Sequence, residues 1–544
     1  WSRGLGDVYK RQEISFKNIS FAYKKDQKNA LIENIDLTMR RGQKIAIVGP
    51  TGSGKSTLIK SIMRILSAPG LITSGNVLFN NKDILEMTDE EIIEIRWKEI
   101  SLVKQKALNS LNPVAKIGHQ IALPYRFHMG MSKIESQNKA RHLLDLVNID
   151  QLYFDSYPHE LSGGMRQRVI IAMAMALEPK LIIMDEPTTA LDVITEHEII
   201  ESIRSLQKEL DFSIIFITHD LNLLLQFADK ICVLYDGEIV DYGVTDTIKS
   251  GGSHSYTQKL LDAIPRINFS GKPSQINKNN LNKILSIDNI HVKYQLGSWM
   301  LPEILHAVND VSFHLYSRHI TSIIGESGSG KSTIAKVITG LENLDQGCLT
   351  KHDDAHQDKV VHNLEFRKNV QMIFQDPFSA LNPIHSVLHH FERPLLRFGV
   401  TSDKDIKSKA CELLEMVELN PAEDFLSKFP HEMSGGECQR VCIARALCSN
   451  PKLIIADEPT SMLDVSIRSD ILNLFIKLKE DFNLSILLIT HDIASASICS
   501  DEIIVLREGR IVESGSTLDI IQNPRNDYTK NLLKASRDDW FTKY

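Results

Sequence analysis

Two glycine-rich loops, separated by 276 residues, constrain what this chain can fold into. Segments 49–57 and 325–333 have the sequences GPTGSGKST and GESGSGKST, and both fit the phosphate-loop pattern G-x-x-x-x-G-K-[ST]. Apolar runs at 44–48 and 320–324 come directly before them, so each loop is predicted to join a strand to a helix. Strand, glycine loop and helix together form a phosphate-binding unit. The chain is therefore predicted to contain two nucleotide-hydrolysing units.

Residue types within each loop indicate how phosphate would be held. Backbone N–H groups surround the phosphates, the lysine meets the β and γ phosphates, and the next hydroxyl ligates Mg²⁺. Ser56 and Ser332 are thus predicted magnesium ligands. The predicted ATP-binding loop residues are Gly49, Pro50, Thr51, Gly52, Ser53, Gly54, Lys55, Ser56 and Thr57, and Gly325, Glu326, Ser327, Gly328, Ser329, Gly330, Lys331, Ser332 and Thr333.

An acidic pair follows a short apolar run in each half of the chain. The runs begin at 181 and 453 and have the length of a buried strand. An acid at the carboxyl end of a core strand beside a phosphate loop can hold Mg²⁺, which is the role predicted for Asp185 and Asp457. Glu186 and Glu458 are predicted to accept a proton from, or to orient, the attacking water. The alternative is that these acids only cap strand ends.

A Ser-Gly-Gly sequence precedes an apolar helix upstream of each acidic pair. The N-terminus of such a helix offers unpaired N–H groups and a positive dipole end to an anion. These motifs resemble the signature sequence of ABC-transporter ATPases, and the resemblance covers nearly everything from Glu13 to the C-terminus. It implies ATP contacts for Ser162, Gly163, Gly164, Ser434, Gly435 and Gly436, with the signature of each domain meeting the nucleotide held by the other in an intramolecular dimer of ATPase domains.

The resemblance extends to four further positions that occur in both halves. Gln105 and Gln375 resemble the Q-loop glutamine, with implied catalytic and magnesium-binding roles, and His219 and His491 resemble the catalytic switch histidine. The same resemblance implies ATP contacts for the D-loop aspartates Asp192 and Asp464 and for the adenine-stacking aromatics Tyr23 and Tyr294, although a tyrosine at the end of a strand also serves for packing. Neither half lacks the lysine, glutamate or histidine, so both sites are expected to be competent.

A narrower resemblance is to the importer ATPases of the peptide/nickel class. It is based on the segments 110–113, 157–168, 254–257, 379–383 and 527–529. It implies an ATPase at the cytoplasmic face of the cell membrane that energises uptake of dipeptides, oligopeptides or a related small ligand. The implied partners are two transmembrane permeases and an extracytoplasmic binding protein. The alternatives are a vitamin or metal-ion importer, an exporter, and a soluble ATPase that acts on ribosomes.

The two Q-loops have different flanking residues. The second continues with Asp376-Pro377 and the first with Lys106-Ala107, which reverses a charge and removes a restricted backbone. In the family this flank faces the permease. The difference predicts a permease heterodimer with a fixed orientation, and the alternative is a tolerated change in a loop.

Domain organisation follows from the repeat. With the resemblance to ABC-transporter ATPases, the repeat implies an α/β fold class with two P-loop NTPase (ABC ATPase) domains in tandem. The resemblance further implies that each domain has a mainly parallel core sheet, an antiparallel β subdomain and an α-helical signature subdomain. Residues 1–12 resemble translated adapter sequence and are predicted to be a non-native leader. The predicted domains are 13–265 and 284–544, joined by a flexible linker at 266–283 that is rich in Asn, Lys, Ser, Gly and Pro.

Composition limits the partners. The net charge of −7, with acids and bases interspersed, gives no general basic field for a nucleic acid. The longest apolar run, Val169 to Leu177, falls short of the roughly 20 residues that span a bilayer. Several single-domain members of the peptide class carry a cysteine cluster that binds iron-sulfur after the segment that corresponds to 254–257, but no cysteine lies between Cys232 and Cys348. ATP and Mg²⁺ are therefore the expected cofactors and no iron-sulfur cluster is expected.

Cys438 and Cys442 are interpreted as packing residues rather than metal ligands.

Overall fold

The chain divides into two compact units, which are described separately. In the computed structural model the described residues are 12–22, 31–66, 70–104, 110–188, 191–218, 221–262, 264, 281–298, 301–353, 356–402 and 404–536. The first unit comprises Trp1–Leu191 and Thr195–Ile264, and the second comprises Asp192–Ile194 and Pro265–Tyr544.

Strands of the first unit form two sheets. They are β1 Gln12–Ala22, β2 Ile32–Arg40, β3 Lys44–Val48, β4 Leu71–Phe79, β5 Lys82–Asp83, β6 Ile100–Val103, β7 Leu181–Asp185, β8 Ser213–Ile217, β9 Lys230–Tyr235 and β10 Glu238–Val244. The antiparallel sheet has the order β2-β1-β4-β5. The larger sheet has the order β10-β9-β3-β8-β7-β6, and only β10 within it is antiparallel.

Helices of the same half surround the larger sheet and form a helical subdomain. They are α1 Lys55–Ile62, α2 Asp89–Ile95, α3 Ile117–Met129, α4 Lys133–Leu146, α5 Gly163–Met175, α6 Val193–Leu210, α7 Leu221–Phe227, α8 Thr245–Lys249 and α9 Ser255–Asp262. Short 3₁₀ turns at Gln151–Asp155 and Pro158–Glu160 precede α5. Both α3 and α4 contact α5, which carries the first Ser-Gly-Gly motif at its N-terminus.

The second unit repeats the arrangement of strands. They are β11 Lys283–Ser298, β12 Leu301–Tyr316, β13 Ile320–Ile324, β14 Gln346–Asp353, β15 His356–Lys359, β16 Val370–Ile373, β17 Leu453–Asp457, β18 Ser485–Thr490, β19 Glu502–Arg507 and β20 Arg510–Ser516. The antiparallel sheet has the order β12-β11-β14-β15, and the larger sheet has the order β16-β17-β18-β13-β19-β20. Again only the last strand of the larger sheet, β20, runs antiparallel.

Eleven helices are described in the second half. They are α10 Lys331–Thr339, α11 Leu364–Asn369, α12 Pro377–Ala380, α13 Val387–Arg397, α14 Ile406–Met416, α15 Ala422–Leu426, α16 Gly435–Leu447, α17 Val465–Phe482, α18 Ile493–Cys499, α19 Thr517–Gln522 and α20 Asp527–Ala535. A 3₁₀ turn at Pro430–Glu432 precedes α16. The prediction of two α/β units with antiparallel and helical subdomains is confirmed.

Burial explains why these apolar runs form the central strands. Every residue of β7, β13 and β17 is buried, as expected for parallel strands covered on both faces. In the first unit one core cluster joins the antiparallel sheet, α1 and the parallel strands. This packing fixes the carboxyl ends of the parallel strands, and in each unit the phosphate loop begins at the carboxyl end of one such strand, β3 or β13.

An aspartate holds the start of α9 in the first unit. The Asp241 carboxylate accepts hydrogen bonds from the backbone N–H groups of Ser253 and His254, both at 3.0 Å, and from the hydroxyls of Ser253 and Thr257. Burial works to raise the pKa of Asp241, but the hydrogen bonds from Ser253 and Thr257 outweigh it and lower the pKa to about 2. The segment before α9 is thereby tied to β10.

Some predicted features fall outside the described residues. Residues 1–11 of the predicted leader and 265–280 of the predicted linker region are among them, so the domain boundaries remain a prediction. Within the part of the chain that is described, none of the helices has the length and apolar character needed to cross a membrane. The thiols of Cys438 and Cys442 are buried and donate to the carbonyls of Pro430 and Pro377, at 3.5 and 3.7 Å, which agrees with packing.

Candidate functional site

Each phosphate loop passes so close to a neighbouring strand that only glycine fits at its first position. A Cβ on Gly49 would lie 2.0 Å from the Leu234 carbonyl oxygen, and one on Gly325 would lie 2.2 Å from that of Leu506. At the other end of the second loop, Gly330 has a φ of 100°, in the left-handed region that favours glycine. The loop backbone is thus fixed by glycine at both ends.

The loop lysines are buried and held by loop carbonyls. Lys331 Nζ donates to the carbonyls of Gly325 and Glu326 at 2.8 and 2.7 Å, and Lys55 Nζ donates to those of Gly49 and Pro50 at 2.6 and 2.8 Å. Burial lowers the pKa of Lys331, against the opposing effect of nearby carboxylates that include Glu458.

A hydroxyl and a carboxylate meet beside each lysine. Ser332 Oγ donates to Asp457 Oδ1 at 2.9 Å, and Ser56 Oγ donates to Asp185 Oδ1 at 3.3 Å. Burial raises the pKa of both aspartates, although the serine hydrogen bonds act in the opposite direction. Hard oxygen donors of this kind are those that Mg²⁺ binds, usually together with substrate phosphates. The two pairs predicted from the sequence therefore fit a magnesium ion.

Glu458 joins two other predicted residues in the second unit. Its Oε2 accepts a hydrogen bond from Gln375 Nε2 at 2.9 Å and lies 3.4 Å from His491 Nδ1. Burial works to raise the pKa of Glu458, but the His491 hydrogen bond and the charges of His491 and Lys331 lower it below the usual glutamate range. Gln375 and His491 thus converge on the carboxylate of Glu458, which is ionised at neutral pH, and each of the three residues follows a different strand.

The backbone at this glutamate is held in the same way in both units. Glu458 has a φ of 45° and its N–H donates to the Ile489 carbonyl at 2.9 Å, while Glu186 has a φ of 50° and its N–H donates to that of Ile217 at 2.8 Å. A non-glycine residue in this region is uncommon and is found often at functional sites. The catalytic candidates Gln105 and His219 lie outside the described residues.

Both signature serines cap the helix that follows them. Ser162 Oγ accepts from the backbone N–H of Met165 at 3.2 Å, and Ser434 Oγ accepts from that of Glu437 at 3.3 Å. In the second unit the Glu437 carboxylate also accepts from the Ser434 N–H at 2.7 Å, which completes a capping box. Each Ser-Gly-Gly motif therefore lies at a helix N-terminus, as predicted.

The remaining candidates lie at the ends of other elements. Asp464 is the residue before α17, and Asp192 precedes α6. Tyr294 lies in β11, and its hydroxyl donates to Glu342 Oε2 at 3.1 Å. Burial raises the pKa of Tyr294, a hydrogen bond with Thr333 in the phosphate loop opposes this, and Glu342 raises it further. Tyr23 lies outside the described residues.

Two features of the site were not predicted from the sequence. The left-handed conformation of Glu186 and Glu458 has no signal in their residue type. The contact of the second phosphate loop with Tyr528 was also missed, although the Asp-Tyr-Thr sequence at 527–529 had been noted. A tyrosine at the start of an amphipathic C-terminal helix was the available signal.

Comparison with known proteins agrees with this geometry. The family model described as "ABC transporter" matches residues 32–189 and 308–461, which contain both phosphate loops and both signatures. A second model, described as "Oligopeptide/dipeptide transporter, C-terminal region", matches residues 240–287. The two ABC matches together span more than half of the chain.

Curated relatives match almost the whole length. The glutathione import ATP-binding protein GsiA of Shigella dysenteriae is 37% identical over 96% of this chain and 89% of its own. The protein of the same name from Escherichia coli K12 is 36% identical with the same coverage.

A solved dimeric ATP-binding cassette, in a post-hydrolysis state with ADP and Pi, is 30% identical and matches 43% of this chain and 98% of its own at a TM-score of 0.38. The family matches and the full-length relatives both point to one assignment. The chain belongs to the ABC-transporter ATP-binding family, in which it is a tandem ATPase of the peptide-importer class.

Proposed function

We propose that this chain hydrolyses ATP at two sites to energise the import of short peptides, glutathione among them, through separate permease subunits. The match at residues 240–287 to the C-terminal region of oligopeptide and dipeptide transporters supports the substrate class. Glutathione, named in the relatives, is itself a tripeptide and belongs to that class.

The arrangement around Glu458 is the observation that carries the catalytic proposal. An ionised carboxylate can accept a proton from water, and Gln375 and His491 both orient it through Oε2. Lys331, whose side chain donates to the carbonyls of Gly325 and Glu326, supplies positive charge for the β and γ phosphates. We assign the same roles to Glu186, Lys55, Gln105 and His219 in the first unit.

The magnesium ligands are the second part of the proposal. In the second unit Ser332, Asp457 and Gln375 would hold the ion, and in the first unit Ser56, Asp185 and Gln105 would do so. A bound Mg²⁺ supplies charge neutralisation on the β and γ phosphates. Because Asp457 is buried against Ser332, its carboxylate oxygen is already directed at the hydroxyl with which it would share the ion.

We infer the partners from the class. Two transmembrane permeases would receive the mechanical stroke at the cytoplasmic face of the membrane, and an extracytoplasmic binding protein would deliver the peptide. The different residues after the two Q-loop glutamines support unlike permeases, because Asp376 and Pro377 in one half correspond to Lys106 and Ala107 in the other.

Reconstitution tests this function. The chain is co-expressed with the two permeases encoded by neighbouring genes, the complex is placed in proteoliposomes, and phosphate release is measured with the cognate binding protein. We expect stimulation when that protein is loaded with a dipeptide, a tripeptide or glutathione, together with uptake of the labelled peptide.

The double variant Lys55→Ala, Lys331→Ala is the matched control and should abolish both signals while the complex still assembles. Stimulation by a corrinoid or a metal ion but by no peptide would contradict the peptide proposal and favour the alternative importer. ATP hydrolysis that responds to ribosomes and to no permease would contradict transport altogether.

A further inference from the structure

A tyrosine of the C-terminal helix contacts the second phosphate loop directly. Tyr528 is the second residue of α20, and only 4% of it is exposed. Its hydroxyl oxygen accepts a hydrogen bond from the backbone N–H of Glu326 at 2.9 Å, across 202 residues of sequence. The Arg507 guanidinium lies over the ring, 5.1 Å from its centre. The ring is thereby held in place, with the hydroxyl directed at the loop.

Glu326 is a junction in this loop. Its carbonyl accepts from Lys331 Nζ at 2.7 Å and from the Ser329 N–H at 3.2 Å, while its own N–H donates to Tyr528. A displacement of this residue therefore moves an oxygen that holds the phosphate-binding lysine. Glu326 is thus the one residue that links the Tyr528 hydrogen bond to the Lys331 side chain.

The first unit holds the corresponding residue differently. Pro50 occupies the place of Glu326, and its carbonyl likewise accepts from Lys55 Nζ at 2.8 Å and from the Ser53 N–H at 3.1 Å. Proline has no N–H to donate, and its ring fixes φ instead. The tail tyrosine of this unit, Tyr256, packs its ring against Tyr235 with centres 4.5 Å apart. The equivalent hydrogen bond to the loop backbone therefore cannot form here.

We propose that Tyr528 is a positioning residue for ATP binding in the second unit, which couples the C-terminal helix to the phosphate loop through the Glu326 N–H. In the first unit Pro50 fixes the loop backbone through its ring and has no N–H that could make this hydrogen bond. This inference rests on the proposed function of Lys331 in binding phosphate. Its consequence is that the second nucleotide site depends on α20 through a hydrogen bond that the first loop cannot make.

Nucleotide titration of the full chain tests the inference. Lys55→Ala restricts binding of a fluorescent ATP analogue to the second site, and Tyr528→Phe in that background removes one oxygen while it preserves the ring. We expect Kd to rise about three- to tenfold, because the partly buried N–H of Glu326 loses its partner. A merely structural role would lower the melting temperature of the free protein without changing the Kd of the folded fraction.

A double-mutant cycle makes the assignment specific. Glu326→Pro removes the N–H and copies the residue that the first loop already accommodates, and Glu326→Ala removes only the carboxylate, which also interacts with the Tyr528 hydroxyl. In the Glu326→Pro background Tyr528→Phe should leave Kd unchanged, because the hydrogen bond is already gone. If Tyr528→Phe weakens binding equally with and without Glu326→Pro, the effect does not pass through the Glu326 N–H and the inference is overturned.

The first unit provides the matched control. In the Lys331→Ala protein, which tests the first site, Tyr528→Phe should leave Kd unchanged, because the Tyr528 hydroxyl contacts the second loop. An unchanged Kd for Tyr528→Phe at a functional second site would overturn the inference while the proposed function stands. Absence of nucleotide binding in the Lys55→Ala protein with Tyr528 intact would overturn both.

Discussion

Replacing Glu458 by glutamine should separate ATP binding from ATP hydrolysis. The amide retains the size and shape of the side chain, and its oxygen can still accept the hydrogen bond that Gln375 donates at 2.9 Å. It lacks the charge that faces His491 at 3.4 Å, and it cannot take a proton from water at neutral pH. Loss of a general base costs about 10²- to 10⁴-fold in rate, or about 2.7 to 5.4 kcal/mol in the barrier.

Phosphate release and nucleotide affinity are the two quantities to measure. We expect turnover of the assembled transporter to fall by that factor while Kd for ATP changes by no more than about threefold. Glu178→Gln is the matched control, because Glu178 has a similar left-handed φ of 52° but is exposed and precedes β7, at the opposite end of that strand from Asp185. A Glu458→Gln transporter with the wild-type rate would refute the catalytic assignment. Loss of affinity in place of rate would make Glu458 a binding residue.

Three further predictions concern other parts of the chain. Lys55→Ala and Lys331→Ala should each reduce turnover of the transporter more than tenfold, and a near-normal rate in either would show that the two sites are not equivalent. Asp241→Asn should cost about 1.5 to 3 kcal/mol of stability at pH 7 in thermal unfolding. Because its folded pKa of about 2 lies below the unfolded value, wild-type stability from this group is present above pH 4 and is lost as pH falls to 2, a dependence that the variant should lack. Photocrosslinkers at Lys106 and Asp376 should capture two different permeases, and equal capture of one species from both positions would rule out the heterodimer.

The sequence predicted the parts of the site that depend on local chemistry. The glycine loops after buried strands and the two Ser-Gly-Gly motifs at helix N-termini follow from residue type and spacing within short segments. Parallel strands end at one edge of a sheet, so the meeting of a loop hydroxyl and a strand-end carboxylate was also predictable. In these cases the residues that form the feature are also the residues whose types and positions predict it.

The rest depends on packing between distant segments. Glu458 reaches Gln375 and His491 because the backbone at the glutamate adopts φ near 45°, a conformation that its side chain does not favour and that the Ile489 carbonyl stabilises. The Tyr528 contact depends on how α20 packs beside β19, and no spacing rule connects positions 326 and 528. The pairing of long antiparallel strands is equally hard to predict from sequence, because β11 and β12 pair through several register shifts.

The number of ATP molecules held by one chain tests the central claim most directly. In the double variant Glu186→Gln, Glu458→Gln both sites should bind ATP without turning it over. Quantification of nucleotide retained after rapid gel filtration should give two ATP per chain and no ADP. One ATP per chain, or ADP in place of ATP, would contradict the account of two equivalent, glutamate-dependent sites.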